Sequence, residues 1–298
     1  MHKTQPSGVS EEVLSAKTRV PISVVIPTVG KRSRLLREAL DSVRLQSTPP
    51  MEVIVVHNGS PEDLPRLTAE ARLIQIPSRL GVAEARNTGA KYALGDYVSF
   101  LDDDDYWEAS YLESIARTIA DESPDMILGR ILMSVREGYA TYMDATNFLS
   151  TKHVFVFNPG ATGSNTTVLR EKFLMLRGYD ASFPPSEDRE LLLRYLLFSC
   201  RVSVQSNAVA IQRQHSGERL NSHQRSIVST KRLLTVYGHQ MTWRQRSYNR
   251  WRSSSLKVKQ DKTMVSMLQY LSLSVWIIVI RMRPRNIWKP PIRAPKSH

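Results

Sequence analysis

The chain has 298 residues, 41% of them apolar, one cysteine and a formal net charge of +13. That length supports one large core or two unequal lobes, and a lone cysteine excludes an intramolecular disulfide and fits a reducing compartment. The charge is confined to one end, with 17 Lys/Arg against 2 Asp/Glu over residues 216–298 but 24 against 26 over residues 1–215; an evenly basic, nucleic-acid-binding body is therefore excluded, and a docking element for an anionic surface is expected at the C-terminal end.

The first twenty residues lack the apolar stretch of a secretory signal, so export is not expected. From residue 20 onward, short strand-like runs alternate with helical patterns. ISVVIP (22–27) is a continuous apolar run of strand length, ended by Pro27. KRSRLLREALDSVRLQ follows, with Leu35, Leu36, Ala39, Leu40 and Val43 at helical spacing. EVIVVH (52–57) predicts a second buried strand, stopped by the turn residues NGSPED, and RLIQI (72–76) predicts a third. VAEARNTGAKYAL predicts a helix, with Gly95 standing where a left-handed cap belongs. DYVSFL (96–101) is the fourth strand. Beyond it come DMILGRILMSV (125–135), a loop-rich stretch FNPGATGSNTT (157–167), a helix around 188–198 and the strand CRVSVQ, with Cys200 as a core residue. No internal repeat or low-complexity segment interrupts this order.

Strand–helix alternation with β-branched strands apolar on both faces predicts an α/β fold, a mostly parallel central sheet with helices on both faces. Ligands of such sheets sit at the carboxyl ends of the strands. Pro27-Thr28, His57-Asn58 and the run FLDDDDYW (100–107) then share one rim. A solvated turn or a helix start also accommodates aspartates. Four in a row leaving a buried strand favour a cation instead, and crowded oxygen ligands suit Mg²⁺ or Mn²⁺. Because Mg²⁺ takes few protein carboxylates and keeps positions for substrate phosphates, a diphosphate is the expected companion.

In order and spacing, ISVVIPT, EVIVVHNGS, RLGVAEARNTGAKYALGDYVSFLDDDDYW and GYDASFPPSEDRELLLRY resemble the family 2 glycosyltransferases of the GT-A fold, over about residues 20–215. The resemblance implies that Asp102 and Asp104 are the two aspartates of a D-x-D element, the second binding the divalent ion that bridges a nucleotide-sugar diphosphate. Asp103 lies between them in the same donor-binding run. Asp105 matches a third aspartate at the edge of the donor-sugar pocket. Pro27 and Thr28 match the nucleotide-facing end of the first strand, and Arg86 and Asn87 line the nucleotide side. SED (186–188) resembles the family's E-D element, which makes Asp188 the base for the acceptor hydroxyl, with Glu187 beside it. The same residues also suit a helix cap. Arg213 and His215, in RQHSG, resemble an R-x-H element that contacts the diphosphate and the metal, and Gly163, Ser164 and Asn165 resemble the loop shaping the acceptor side. One departure stands out. Where the family carries an acidic pair or Asp-Asn that reads the base, this chain has His57-Asn58, so the nucleotide base is left open among uracil, thymine and guanine.

The tail contains MVSMLQYLSLSVWIIVI (264–280), flanked by Lys257, Lys259 and Lys262 before it and Arg281, Arg283 and Arg285 after it. Its length is at the floor for a membrane span, about 17 residues. Gln269 and three serines within it favour an in-plane helix on anionic lipid over a spanning one; packing on the body is the other alternative. Basic RLNSHQRSIVSTKRLL (219–234) extends the same face. Three regions are expected: a polar extension (1–19), the GT-A domain (20–215) and a basic helical region (216–298). The expected protein is an inverting, metal-dependent glycosyltransferase at the cytoplasmic face of a membrane. It takes a nucleotide-sugar donor and extends a cell-surface glycan or its lipid-linked precursor, with no nucleic-acid partner. A nucleotidyltransferase, or a silent family member acting as a binding subunit, are the alternatives.

Overall fold

Runs of Val and Ile that bury both faces of a strand build the centre of the molecule. The computed structural model describes residues 20–65, 67, 71–135, 138–143, 145–213, 223–261 and 271. The extension 1–19, His215 and, apart from Leu271, the stretch 264–280 lie outside them. Strands β1 (Val20–Thr28), β2 (Pro50–His57), β3 (Ala71–Gln75) and β4 (Tyr97–Phe100) pair in parallel, in the order β3-β2-β1-β4. The links between them are helix α1 (Ser33–Arg44), a segment (58–70) carrying the 3₁₀ turn Pro61–Asp63, and helix α2 (Val82–Tyr92). Within β1, Ile22, Val24 and Ile26 face Leu36, Ala39 and Val43 of α1, whereas Val25 joins the opposite face with Ala85 and Ala90 of α2. This two-sided burial is why β1 carries no polar alternation.

The second half of the sheet is mixed. It contains β5 (Tyr106–Trp107), β6 (Met126–Val135), β7 (Gly138–Met143), β8 (Thr166–Leu169) and β9 (Val202–Gln212). β8 lies antiparallel between β4 and β6, β6 pairs β9 in parallel, and β9 carries the short β5 antiparallel. Helix α3 (Tyr111–Glu122) covers one face, its Tyr111 stacked on Trp107 with centroids 4.1 Å apart. The other face holds α4 (Thr151–Val154), α5 (Arg170–Met175) and α6 (Glu187–Leu197).

One expectation from the sequence is corrected. Gly95 does not take the left-handed conformation; a Cβ there would sit 2.7 Å from the Ser23 amide nitrogen, so this glycine lets the chain pass close to β1. Helices α7 (His223–Tyr237) and α8 (Trp243–Asp261) pack on the body, with Leu233, Tyr237 and Met241 buried in the same core as α6. Tyr237 donates its hydroxyl hydrogen to Glu190 Oε1 at 2.5 Å, and Asn249 Nδ2 donates to the Phe155 carbonyl at 2.8 Å. Among the described residues no helix is long and apolar enough to cross a membrane.

Candidate active site

Three strand ends and one helix start converge on the aspartate run. Thr28 closes β1 in register with His57 of β2, and the Leu101 amide still bonds Val25 as the chain leaves β4. The chain then turns, with the Asp105 amide donating to the Asp102 carbonyl at 3.1 Å. That turn separates the four aspartates into two sets. Asp103 points into the protein and is 1% exposed; it accepts hydrogen bonds from Thr28 Oγ1 at 2.6 Å and Arg32 Nη2 at 2.7 Å. Burial pushes its carboxyl up to about 6, against the pull of Arg32 and Thr28.

Asp102, Asp104 and Asp105 bring one carboxylate oxygen each within 4.8 Å of the others. Asp105 is buried, held by Ser164 Oγ at 2.5 Å and by the Arg213 amide at 3.1 Å. Burial, then the charges of Asp102 and Asp104, drive its carboxyl well above the usual range. Three oxygen ligands that repel one another and converge on one point fit a small hard cation, Mg²⁺ or Mn²⁺, with positions left for phosphate oxygens.

Arg86, in α2, joins this cluster to a second pair of carboxylates. It is 3% exposed. Its Nη2 bonds Asp102 Oδ1, and its Nη1 lies 3.9 Å from Glu187 Oε1 and 3.8 Å from Asp188 Oδ1 at the start of α6. The guanidinium also stands over the Tyr179 ring, 5.2 Å from its centroid. Burial alone would lower the guanidinium pKa, but Asp102, Asp188 and Glu187 hold it well above its ordinary value. Burial pushes Asp188 up to about 7 despite Arg86, with Glu187 and Asp102 adding to the rise; Glu187 is raised for the same first reason. Asp188 Oδ1, Glu187 Oε2 and Arg86 Nη1 are buried without a hydrogen-bond partner among the described residues. Such atoms are costly unless something else completes them. Ser186 makes no side-chain cap bond to α6, so the SED segment does not work as a capping box.

Other residues singled out in the sequence have different surroundings from those expected. Asn87 does not face the rim: its Nδ2 donates to the Tyr179 carbonyl at 2.9 Å and its Oδ1 accepts from the Tyr179 amide at 2.8 Å, which uses both ends of its amide. Thr28 is bonded to Asp103 and to the Gly30 amide, and Pro27 is buried against Val56. His57 has no exposed surface; it sits beneath Gly30 and Gly59, and neither ring nitrogen has a partner among the described residues. Asn58 is nearly buried, with its Nδ2 on the Leu80 carbonyl at 2.9 Å. Asn165 spends its amide on Gly129, Gly160 and Thr162, and Ser164 is engaged with Asp105, so neither presents a free group to a sugar. Arg213 backs the aspartate turn: it donates to the Asp104 carbonyl at 3.1 Å, pairs with Glu38 at 2.7 Å and lies 4.3 Å over Tyr106.

One site residue, Arg32, carried no signal in the sequence. Arg32 bonds both Asp103 and Asp104, yet KRSR looks like an ordinary solvated helix start. Gly163 owes its place to crowding, because a Cβ there would stand 1.9 Å from Arg86 Nη2 and 2.7 Å from Asp102 Oδ1.

Residues 23–176 match the family described as Glycosyl transferase family 2, and the chain belongs to that family. It is 32% identical over 114 residues to glycosyltransferase GlyA of Streptococcus pneumoniae, covering 36% of this chain and 16% of GlyA. It is 27% identical over 187 residues to an uncharacterized glycosyltransferase of Haemophilus influenzae, covering 59% of this chain and 62% of that one. The chain thus spans less than two thirds of the length of these curated relatives. Among solved structures, S. aureus TarS (residues 1–349) in complex with UDP-GlcNAc superposes with a TM-score of 0.59 at 16% identity, covering 85% of this chain and 79% of TarS. The mannosyltransferase PcManGT of Pyrobaculum calidifontis, in complex with GDP-Man and Mn²⁺, gives 0.54 at 15% identity, covering 88% of this chain and 81% of that one. The fold is GT-A.

Proposed function

We propose that this protein is an inverting glycosyltransferase that uses a nucleotide-sugar donor and a divalent cation. The observation that carries the proposal is the single buried guanidinium of Arg86, which links the aspartate cluster to the Glu187–Asp188 pair. Asp102, Asp104 and Asp105 would hold Mg²⁺ or Mn²⁺, with His215 a further candidate ligand outside the described residues. A cation bound there offsets the negative charge that grows on the departing diphosphate. Asp188 takes the proton of the acceptor hydroxyl as its oxygen bonds to the anomeric carbon. The bond from that carbon to the diphosphate oxygen breaks, and its electron pair leaves with the nucleoside diphosphate. A base on the side opposite the leaving group gives one displacement and therefore inversion. A carboxyl raised to about 7 suits this task, because near neutral pH about half of it is ionised and it is a competent proton acceptor.

The neighbours' UDP-GlcNAc and GDP-Man support a nucleotide-sugar donor for this chain. For the acceptor we favour a cell-surface glycan or its lipid-linked precursor, approached from the cytoplasmic face. The support is the basic C-terminal region, on which Arg244, Arg250, Lys257 and Lys259 are exposed along α8. The polar extension 1–19 and the region from 216 onward remain proposed divisions, with α7 and α8 belonging structurally to the body.

Two substitutions test the assignment. Asp104→Ala is expected to abolish metal-dependent donor binding. Asp188→Asn is expected to leave donor binding in place and to lower transfer by about a hundredfold or more. Normal turnover by Asp188→Asn would refute the base, and release of pyrophosphate instead of nucleoside diphosphate would favour a nucleotidyltransferase.

A further inference from the structure

Arg189 follows the Glu187–Asp188 pair on α6 and is 4% exposed, yet no carboxylate pairs with it among the described residues. Its Nε donates to the Val154 carbonyl at 2.8 Å, at the end of α4, and its Nη2 is buried without a partner. The carbonyls around Val154 are taken by α8: Gln245 Nε2 donates to Lys152 at 3.0 Å and Asn249 Nδ2 to Phe155 at 2.8 Å. Gln245, Asn249 and Ser253 recur at helical spacing and are all buried, so this face of α8 runs along the end of α4. Arg252, one turn beyond Asn249, shares that face; it is half-buried and makes no hydrogen bond or ion pair with any described residue. Its charge reaches Arg189. Burial first, and then Arg252, bring the Arg189 guanidinium down to about 9, with Tyr248 opposing. In the same contact Asn249 Oδ1 is buried and has no partner either.

Near neutral pH such a guanidinium is still charged, and a buried charge without a counter-charge is destabilising. A second arginine beside it adds repulsion instead of relief. An anion removes both costs, and guanidinium forks match phosphate oxygens in geometry as well as in charge. A sugar phosphate brings oxygens for the two arginines and hydroxyl donors for Asn249 Oδ1. We propose that Arg189 and Arg252 form a phosphate site at the junction of α4, α6 and α8, and that it holds the phosphate of a glycosyl phosphate acceptor. The site adjoins the base, because Asp188 and Arg189 are consecutive on α6. On a helix their side chains leave about 100° apart, Asp188 toward Arg86 and Arg189 toward the end of α4. The acceptor must therefore carry its phosphate and its reacting hydroxyl at different ends. This acceptor role rests on Asp188 as the base of glycosyl transfer, whereas the phosphate site rests on the two arginines alone.

The test is calorimetry on the full chain with chelator present, which keeps phosphates off the aspartate cluster. The probes are inorganic phosphate, a short-alkyl glucosyl phosphate and the uncharged alkyl glucoside. Wild type should bind the glucosyl phosphate about tenfold or more tighter than the glucoside, the scale of one charge-assisted hydrogen bond. Arg189→Gln and Arg252→Gln should each lose about tenfold or more for both phosphate probes. Arg252→Gln guards against misfolding, since Arg252 bonds no described residue; it should bind Mn²⁺ and UDP or GDP as wild type does. It should also float equally with phosphatidylglycerol vesicles, because Arg250, Lys257 and Lys259 stay exposed on α8. If wild type binds neither phosphate probe, or Arg252→Gln binds both equally well, the site is refuted. Binding that appears only after Asp144→Asn or Glu218→Gln would mean that a carboxylate of the chain fills the place, which also refutes it. Binding of inorganic phosphate alone would overturn the acceptor role. Loss of vesicle flotation by Arg252→Gln with the phosphate probes unaffected would assign the arginine to lipid headgroups instead. Absence of Mn²⁺-dependent UDP or GDP binding in wild type would strike the glycosyl-transfer reading, an outcome separate from all of these.

Discussion

Arg86 Nη1 lies 3.8 Å from Asp188 Oδ1, while the same guanidinium bonds Asp102 on its other side. A residue of the metal-side cluster and the proposed base are therefore electrostatically one unit. Arg86→Lys keeps the charge but replaces a planar fork by a single point, which can serve Asp102 or Asp188 but not both. We expect transfer to fall by about a hundredfold or more, with a loss of stability of ~2–4 kcal/mol from the buried carboxylate left unpaired. A steady-state assay with a urea melt on the same samples checks both numbers.

The raised carboxyls set opposite trends for activity and stability with pH. Asp188, raised to about 7, must be ionised to accept a proton, so kcat/KM should climb through about pH 7 and level off above it. For stability the sign reverses. Asp103 and Asp188 are raised from 3.8 to about 6 and about 7, so between those limits the folded protein binds more protons than the unfolded chain. Their contribution is complete below about pH 4 and is lost as pH rises through about 6 and about 7. The melting temperature of metal-free protein should drop over pH 5–8, and Asp188→Asn should flatten the upper part of that drop. A melting temperature that rose over this range would contradict it.

Helices α7 and α8 are expected to be part of the folding unit. A chain ending at residue 215 loses the partners of Phe155 and Phe183, on which Tyr237 packs with centroids 6.5 and 6.3 Å away. It should be aggregated or molten, whereas a chain ending at 261 should melt within about 5 °C of the full chain. Tyr237→Phe, which leaves the buried Glu190 one donor short, should cost ~1–3 kcal/mol. Circular dichroism melts of the four proteins decide the matter.

The parallel half of the sheet was legible because its signal is local: runs such as ISVVIP and EVIVVH have the length and branching of two-sided strands. The rim followed from the strand ends. What stayed hidden depends on partners far along the chain. Asn87 bonds a main chain 92 residues away, and nothing near it in sequence marks that contact. The four aspartates read as one group, since only the backbone turn at Asp102–Asp105 decides that Asp103 points inward while its neighbours converge. In α7 the basic residues dominated the composition. Yet Thr230, Leu233 and Tyr237, buried at helical spacing, carry the packing information, and a periodicity count over 223–237 would have found it.

Gly163 gives the site an unusual hereditary weakness. The strands, helices and cores are spread over many side chains, so drift at any one of them is absorbed by its neighbours. The link between Arg86 and Asp102 instead depends on one residue having no side chain at all. The smallest change selection can be offered there, a single methyl group, would stand 1.9 Å from Arg86 Nη2 and 2.7 Å from Asp102 Oδ1, so both side chains would have to shift. A descendant that tolerates bulk at 163 must therefore also hold Arg86 and Asp102 in other positions.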